Sequence, residues 1–154
     1  MNMQTEDMVL AAQNVYNRFK QSAQEKNVEL TFSSSRKTVP MIFDKEKIDM
    51  ALANLVDNAL KYTLPGGSVA LTITQVKKEV RIEVADSGIG VPADQASRIF
   101  SKFFRAHNAL LLETYGSGLG LSVVKYVVEK HRGTVSFKNN EGGGSIFTLT
   151  LPLA

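Results

Sequence analysis

The chain has 154 residues, 44% hydrophobic and 21% charged, which is the make-up of one globular domain large enough for a real core. Eighteen Lys and Arg against 15 Asp and Glu leave a net charge of +3, which tolerates an anionic ligand but lacks the dense basic cluster of a nucleic-acid binder. The absence of cysteine excludes a disulfide scaffold and a thiolate metal site, and no apolar run approaches the ~20 residues of a membrane helix. No charged leader with an apolar core marks a signal peptide. The two imidazoles, His107 and His131, lie far apart and do not suggest a metal site.

No linker or repeat divides the chain, so 1–154 reads as a single domain. From Gln4 to Lys26, Met8, Ala12, Val15, Phe19 and Ala23 recur at helical spacing, which predicts an N-terminal helix within residues 1–26. Val28 to Ser33 alternates and reads as a strand. Ser33 to Pro40 is a polar connection. A short extended piece, Met41 to Phe43, leads to Asp44, a good N-cap. The next helix runs to about Tyr62 and buries Ile48, Leu52, Leu55 and Ala59. Leu64-Pro65-Gly66-Gly67 breaks it.

Val69, Leu71 and Ile73 alternate, then Val80, Ile82 and Val84. They predict a hairpin whose turn, near Lys77-Lys78, lacks Gly or Asn. Asp86 to Pro92 is a glycine loop, and Ala93 to Phe104 a short helix. Arg105 to Tyr115 has no period. Gly116 to Gly120 is a second glycine loop, opening a helix through Val123, Val124, Val127 and Val128 that Gly133 ends. Two strands close the chain, Val135 to Lys138 and Ser145 to Leu151. This order predicts a two-layer α/β sandwich, with a mostly antiparallel sheet and helices on one face.

Asn54, Asp57, Asn58 and Lys61 share one helix face. Asn is a poor helix former, so two of them one turn apart suggest amide oxygens aimed at a hard cation. Mg²⁺ takes oxygen ligands and keeps waters and substrate phosphates, so one amide oxygen suffices from the protein. Lys61 and Tyr62 would then serve a phosphate and a ring. The alternative is a solvated polar face. Asp86-Ser87-Gly88-Ile89-Gly90 follows a strand. Its carboxylate only accepts hydrogen bonds, so it would favour the adenine amino group over the guanine carbonyl. An ordinary Asp-Ser-Gly turn is the alternative. Gly116-Ser117-Gly118-Leu119-Gly120 opens a helix, where free N–H groups and the dipole attract an anion. It matches neither the P-loop nor the Rossmann spacing, and flexible helix entry is the alternative. Phe100, Phe103 and Phe104 read as core, with Arg105 beyond them able to reach a phosphate.

The four segments in this order are Asn54 to Tyr62, Asp86-x-Gly88-x-Gly90, Phe100-x-x-Phe103-Phe104-Arg105 and Gly116-x-Gly118-x-Gly120. Together they resemble the N box, first glycine box, F box and second glycine box of the ATP-binding catalytic domain of sensor histidine kinases, within the GHKL superfamily. The resemblance spans Val28 to Pro152. It implies a Bergerat-type fold with a mobile ATP lid at residues 106–115. It also implies that Asn58 coordinates Mg²⁺, Asn54 supports the site, Lys61 contacts phosphate and Tyr62 the adenine side. Asp86 would hold the adenine amino group in a loop shaped by Gly88 and Gly90. Arg105 would approach the phosphates, and Gly116, Gly118, Leu119 and Gly120 would form the hinge and phosphate end of the lid.

The implied activity is that of a protein-histidine kinase. The domain would bind ATP-Mg²⁺ and transfer the γ-phosphoryl group to a histidine on a separate helical dimerisation domain, with a response regulator downstream. Neither His107 nor His131 sits in the family's acceptor pattern, so the phosphoacceptor domain is expected to be absent and the chain inactive in autophosphorylation without it. A hydrolase or clamp of the same fold would carry a glutamate where this chain has Asn54, and a neutral amide cannot remove a proton from water. A non-catalytic, regulatory nucleotide-binding module is the remaining alternative. The expected setting is cytoplasmic, without nucleic acid or direct membrane contact, although many parent proteins in the family are membrane-anchored. Leu110-Leu111-Leu112 is unusually apolar for a mobile lid. It would either tuck onto the domain's own core or dock on the acceptor helices.

Overall fold

Alternating apolar residues make one face of a sheet here, and apolar residues at helical spacing make the layer that covers it. The computed structural model of the protein describes residues 1–90, 120–140 and 142–153. Its elements are β1 (Gln4–Asp7), α1 (Met8–Lys26), β2 (Glu29–Ser34), β3 (Pro40–Phe43) and α2 (Lys45–Lys61). Then follow β4 (Ser68–Val76), β5 (Glu79–Asp86), α3 (Gly120–Lys130), β6 (Thr134–Asn139) and β7 (Ser145–Pro152). The helix expected at Ala93 to Phe104 and the lid expected at 106–115 lie outside the described residues.

The main sheet has the order β2-β4-β5-β7-β6. Its β2–β4 pair is parallel and the other three pairs are antiparallel. Register sets one apolar row after another across it. Leu71 lies opposite Phe32 and Val84, and Val84 opposite Phe147. Ile73 lies opposite Ile82, and Ile82 opposite Leu149. Because the side-chain period of a strand is two, these rows share one face. On it Leu71, Ile73, Ile82, Val84 and Leu149 are wholly buried, while Thr72, Glu83 and Thr148 between them are half-buried. The helices cover that apolar face. Met8, Ala12 and Val15 of α1, Ile48, Leu52 and Leu55 of α2, and Val124, Val127 and Val128 of α3 complete the core. This is the expected two-layer α/β sandwich.

The N-terminal helix begins later than its expected start. Gln4–Asp7 is a strand, paired antiparallel with β3 in a separate two-stranded sheet, Gln4 opposite Phe43 and Asp7 opposite Pro40. The apolar stripe starts only at Met8, so nothing in residues 4–7 demands a helix. Asp7 stops one by acting as N-cap. Its carboxylate accepts from Val9 N–H at 3.0 Å and from Val39 N–H at 2.8 Å, tying the helix start to the residue just before β3. In the β4–β5 hairpin Lys77 itself takes the left-handed conformation (φ 56°) that Gly or Asn would usually supply. At the end of α3 the left-handed residue is Arg132 (φ 62°), and Gly133 N–H closes the helix onto the Val128 carbonyl.

Asp44 caps α2 as expected, accepting from Lys47 N–H at 3.1 Å and from Asn2 N–H at 2.9 Å. These backbone donors, Lys47 first, hold its carboxyl below the usual carboxylate range against the opposing effect of burial. The backbone N–H of Asp44 donates to His131 Nε2 at 3.0 Å, and His131 Nδ1 lies 2.8 Å from the Val127 carbonyl. Only the tautomer with its proton on Nδ1 satisfies both contacts. The buried His131 is therefore a structural pin between the start of α2 and the end of α3. Replacing it with alanine leaves a buried N–H without an acceptor. His131→Ala should lower unfolding stability by about 1–3 kcal/mol, read as an earlier urea midpoint with an unchanged slope.

Candidate functional site

Two segments that are distant in sequence meet at the C-terminal end of α2. The Tyr62 carbonyl accepts from Ile89 N–H at 3.2 Å. Gly88 lies so close to that carbonyl that a β-carbon there would collide with it. The first glycine loop can therefore seat against α2 only with glycine at this position. The turn after the helix is fixed from the same side. Ser87 exchanges two hydrogen bonds with Ser68, its N–H to the Ser68 carbonyl at 3.0 Å and its Oγ from Ser68 N–H at 2.9 Å.

Asp86, the last residue of β5, is buried beside this junction, only 6% exposed. Its Oδ1 accepts from Gly88 N–H at 2.9 Å and from Ser145 N–H at 3.2 Å. No donor reaches Oδ2 among the described residues. Burial pushes the carboxyl above its ordinary range, and the two backbone N–H groups only partly offset this. A buried carboxylate with one satisfied oxygen and one open oxygen is set up to receive a donor.

Asn54 and Asn58 sit half-buried on one face of α2, a single turn apart. Neither side chain is tied up in a hydrogen bond among the described residues. Uncommitted amide oxygens in partial contact with solvent suit a hard cation that keeps most of its waters. Lys61 pairs with Asp57 at 3.2 Å, with both side chains about half exposed. Such a pair is worth little, so Lys61 can leave it for a phosphate at small cost. Tyr62 is half-buried at the helix end, and Gly90 adopts φ 71° in the loop. Gly120 opens α3, which packs against α2. The structure thus brings Tyr62, Gly88 and Asp86 together beside the C-terminal end of α2, where Lys61 is the last helical residue; Asn58 and Asn54 follow back along the helix, and Gly90 comes next in the loop. Arg105, Gly116, Gly118 and Leu119 lie outside the described residues.

Sequence reasoning missed the support behind Asp86. Gly142-Gly143-Gly144 lies in the connection between the two closing strands. In the fold Gly144 lies against the Asp86 backbone carbonyl, where a β-carbon would collide with it, and its φ is 96°. It delivers the next residue's N–H, that of Ser145, to the Asp86 carboxylate. Asn140 reinforces the same place through its side-chain amide, 3.4 Å from the Asp86 carbonyl. The signal available in sequence was a glycine run longer than a hairpin needs.

Known proteins share this architecture. The family described as "Histidine kinase-, DNA gyrase B-, and HSP90-like ATPase" matches residues 43–154, and the chain belongs to it as a sensor histidine kinase type of ATP-binding catalytic domain. Histidine kinase P4 of Formosa agariphila is 35% identical over 90% of this chain and 10% of its own length. Sensor protein SrrB of Staphylococcus aureus is 31% identical over 88% of this chain and 23% of its own. The chain therefore spans less than a quarter of these curated relatives. The solved catalytic domain of histidine kinase ThkA, a nucleotide-free form, aligns over 99% of both chains at 27% identity and TM-score 0.89. Full-length ShkA in complex with AMPPNP aligns over 100% of this chain and 32% of its own at 29% identity and TM-score 0.86. ThkA in complex with the response regulator TrrA aligns over 99% and 42% at 25% identity and TM-score 0.84. Among the described residues no helix is long and apolar enough to cross a membrane.

The Gly144 contact yields a direct test. Gly144→Ala places a side chain in a left-handed conformation and against the Asp86 backbone. It should cost at least about 1–2 kcal/mol in urea denaturation. In an NMR spectrum it should also move the amide resonances of Ser145 and Gly88, the two donors on Asp86.

Proposed function

We propose that this domain binds ATP with Mg²⁺ and transfers the γ-phosphoryl group to a histidine on a helical dimerisation domain elsewhere in its parent protein. The observation that carries the nucleotide half of this reading is the Asp86 carboxylate, buried and with one oxygen open among the described residues. It accepts a hydrogen bond from the adenine amino group and repels the guanine carbonyl. Gly88 and Gly90 keep the loop low enough for a base to enter beside Tyr62. The Asn58 amide holds Mg²⁺, with Asn54 beside it, and Lys61 meets a phosphate. Arg105 and the glycines at 116, 118 and 120, with Leu119, serve the phosphates and the lid at 106–115. When bound, the metal neutralises phosphate charge. Phosphoryl transfer then asks the protein mainly for positioning and charge stabilisation. Asn54 lacks the basicity to activate water, which favours transfer over hydrolysis. The AMPPNP and response-regulator complexes of the structural neighbours support the same assignment.

Asp86→Asn turns the open oxygen into a site that can hold an amide donor, facing the adenine amino group. Affinity for ATP with Mg²⁺ should fall about ten- to a hundred-fold by calorimetry. Because burial raises the Asp86 pKa, the carboxylate is lost earlier than usual as pH falls. Binding through the ionised form should therefore weaken as pH drops through that raised value. The difference between wild type and Asp86→Asn should narrow over the same window, which separates this titration from that of the phosphates. Unchanged affinity in the variant would remove the adenine assignment.

The transfer half is tested with labelled ATP. This chain alone should stay unlabelled. Adding the helical domain of its parent protein should give acid-labile phosphate on that domain. Stable phosphate on His107 or His131 of this chain would overturn the proposal.

A further inference from the structure

The end of α2 carries Lys61 and Tyr62, and its shape decides where the first glycine loop sits. That end is not held by α2 alone. The last carbonyls of any α-helix lack intrahelical partners and attract a cation. Here the cation comes from another helix. Lys26, the last residue of α1, donates from Nζ to the Leu60 carbonyl and to the Lys61 carbonyl, the latter at 2.9 Å.

The residues after Lys26 continue the contact. The Asn27 carbonyl accepts from Gly66 N–H at 2.7 Å, and Glu29 N–H donates to the Gly67 carbonyl at 3.0 Å. Asn27 reaches this place in a left-handed conformation (φ 60°) that ends α1. One turn of chain, Lys26 to Glu29, thus grips both ends of the segment 60–67. On its other side the same segment presents the Tyr62 carbonyl to Ile89 N–H and to Gly88. Gly88 N–H in turn donates to the Asp86 carboxylate. A continuous path of hydrogen bonds and close backbone contacts runs from the Lys26 ammonium to Asp86.

We infer that Lys26 is a positioning residue for the nucleotide site: its ammonium fixes the C-terminal end of α2, and through Tyr62 it sets the first glycine loop and the Asp86 carboxylate. This rests on the nucleotide reading above. Lys26 touches no ligand in this account. It acts through backbone geometry.

The test compares Lys26→Met, which keeps the aliphatic stem and loses the donor, with Lys26→Arg, which restores a cationic donor. The probe is AMPPNP with Mg²⁺, titrated by calorimetry into the 154-residue chain. Coupling between residues of one hydrogen-bonded network runs to about 1 kcal/mol, so Lys26→Met should weaken binding about five-fold. Lys26→Arg should recover most of that loss. Lys26→Gln keeps a neutral donor. It should show an intermediate loss, and it serves where Lys26→Met does not fold. Val15→Ala, a core change in α1, lowers stability without touching segment 60–67, and its affinity should stay at the wild-type value.

A second readout needs no nucleotide. In the free protein Lys26→Met should shift the amide NMR resonances of Gly88 and Ile89 as well as those of residues 60–63. A purely local helix cap would shift only the latter and leave affinity unchanged, and that result overturns the inference. Asp86→Asn runs in parallel. If it binds as tightly as wild type, the nucleotide reading fails, and the resonances of Gly88 and Ile89 still decide whether Lys26 governs the loop.

Discussion

The site depends on one close approach. The chain after α2 and the chain after β5 touch at the Tyr62 carbonyl, which takes the Ile89 N–H and leaves no room for a side chain at position 88. The candidate groups among the described residues belong to the two segments that this contact joins. Asn54, Asn58 and Lys61 come with the helix, and Asp86, Gly88 and Gly90 come with the strand and its loop. Without the contact they would be two unrelated polar stretches. With it the two stretches meet at the C-terminal end of α2. The constraint is steric before it is energetic: a single N–H···O bond contributes about 1 kcal/mol, but a backbone collision cannot be accommodated without moving the loop.

Asp86 shows how such a site retains a charge that burial opposes. The carboxylate stands at the end of a central strand, where β4 and β7 flank β5. Water is largely excluded from it. Two backbone N–H groups, from Gly88 in the loop after β5 and from Ser145 at the start of β7, return part of the lost solvation to one oxygen. The other oxygen lacks a donor among the described residues. The glycines at 88 and 144 are what allow those two donors to come close to the same oxygen. A buried polar group short of one partner is costly in a structural core, and sensible in a place where a ligand supplies the partner.

Support for the site is spread over the whole helical layer. Lys26 of α1 caps α2, and His131 after α3 accepts from the N-cap of α2 at its far end. The helix with the two asparagines is thus pinned at both ends by residues from its neighbours. Half-buried amides on that helix can face a cation only if the helix itself does not rock, because a shift of an ångström would spoil oxygen coordination. The stability of the fold and the geometry of the site are therefore the same set of contacts.

The periodicities of the sequence determined most of the architecture. Helical spacing at Ile48, Leu52, Leu55 and Ala59, and alternation at Val69, Leu71, Ile73 and Val80, Ile82, Val84, state which face each element buries, and those faces are the core. Local chemistry also named Asp44 as a cap, picked out Asn54 and Asn58 because Asn is a poor helix former, and marked Lys61 and Asp86 by their charge, the one beside those asparagines and the other beside a glycine loop. What the sequence could not carry were pairings between distant segments. Gln4–Asp7 has no period of its own and became a strand only because β3 lay beside it. Lys77 and Arg132 took left-handed conformations without being glycine, held there by the strands and helix around them. Ser145 and Lys26 gave no local sign of their roles, and the glycine run that holds Gly144 did not say what it meets, since each acts on a carbonyl or carboxylate far along the chain. Periodicity is a property of neighbours in sequence, whereas a close approach is a property of neighbours in space, and only the folded chain decides it.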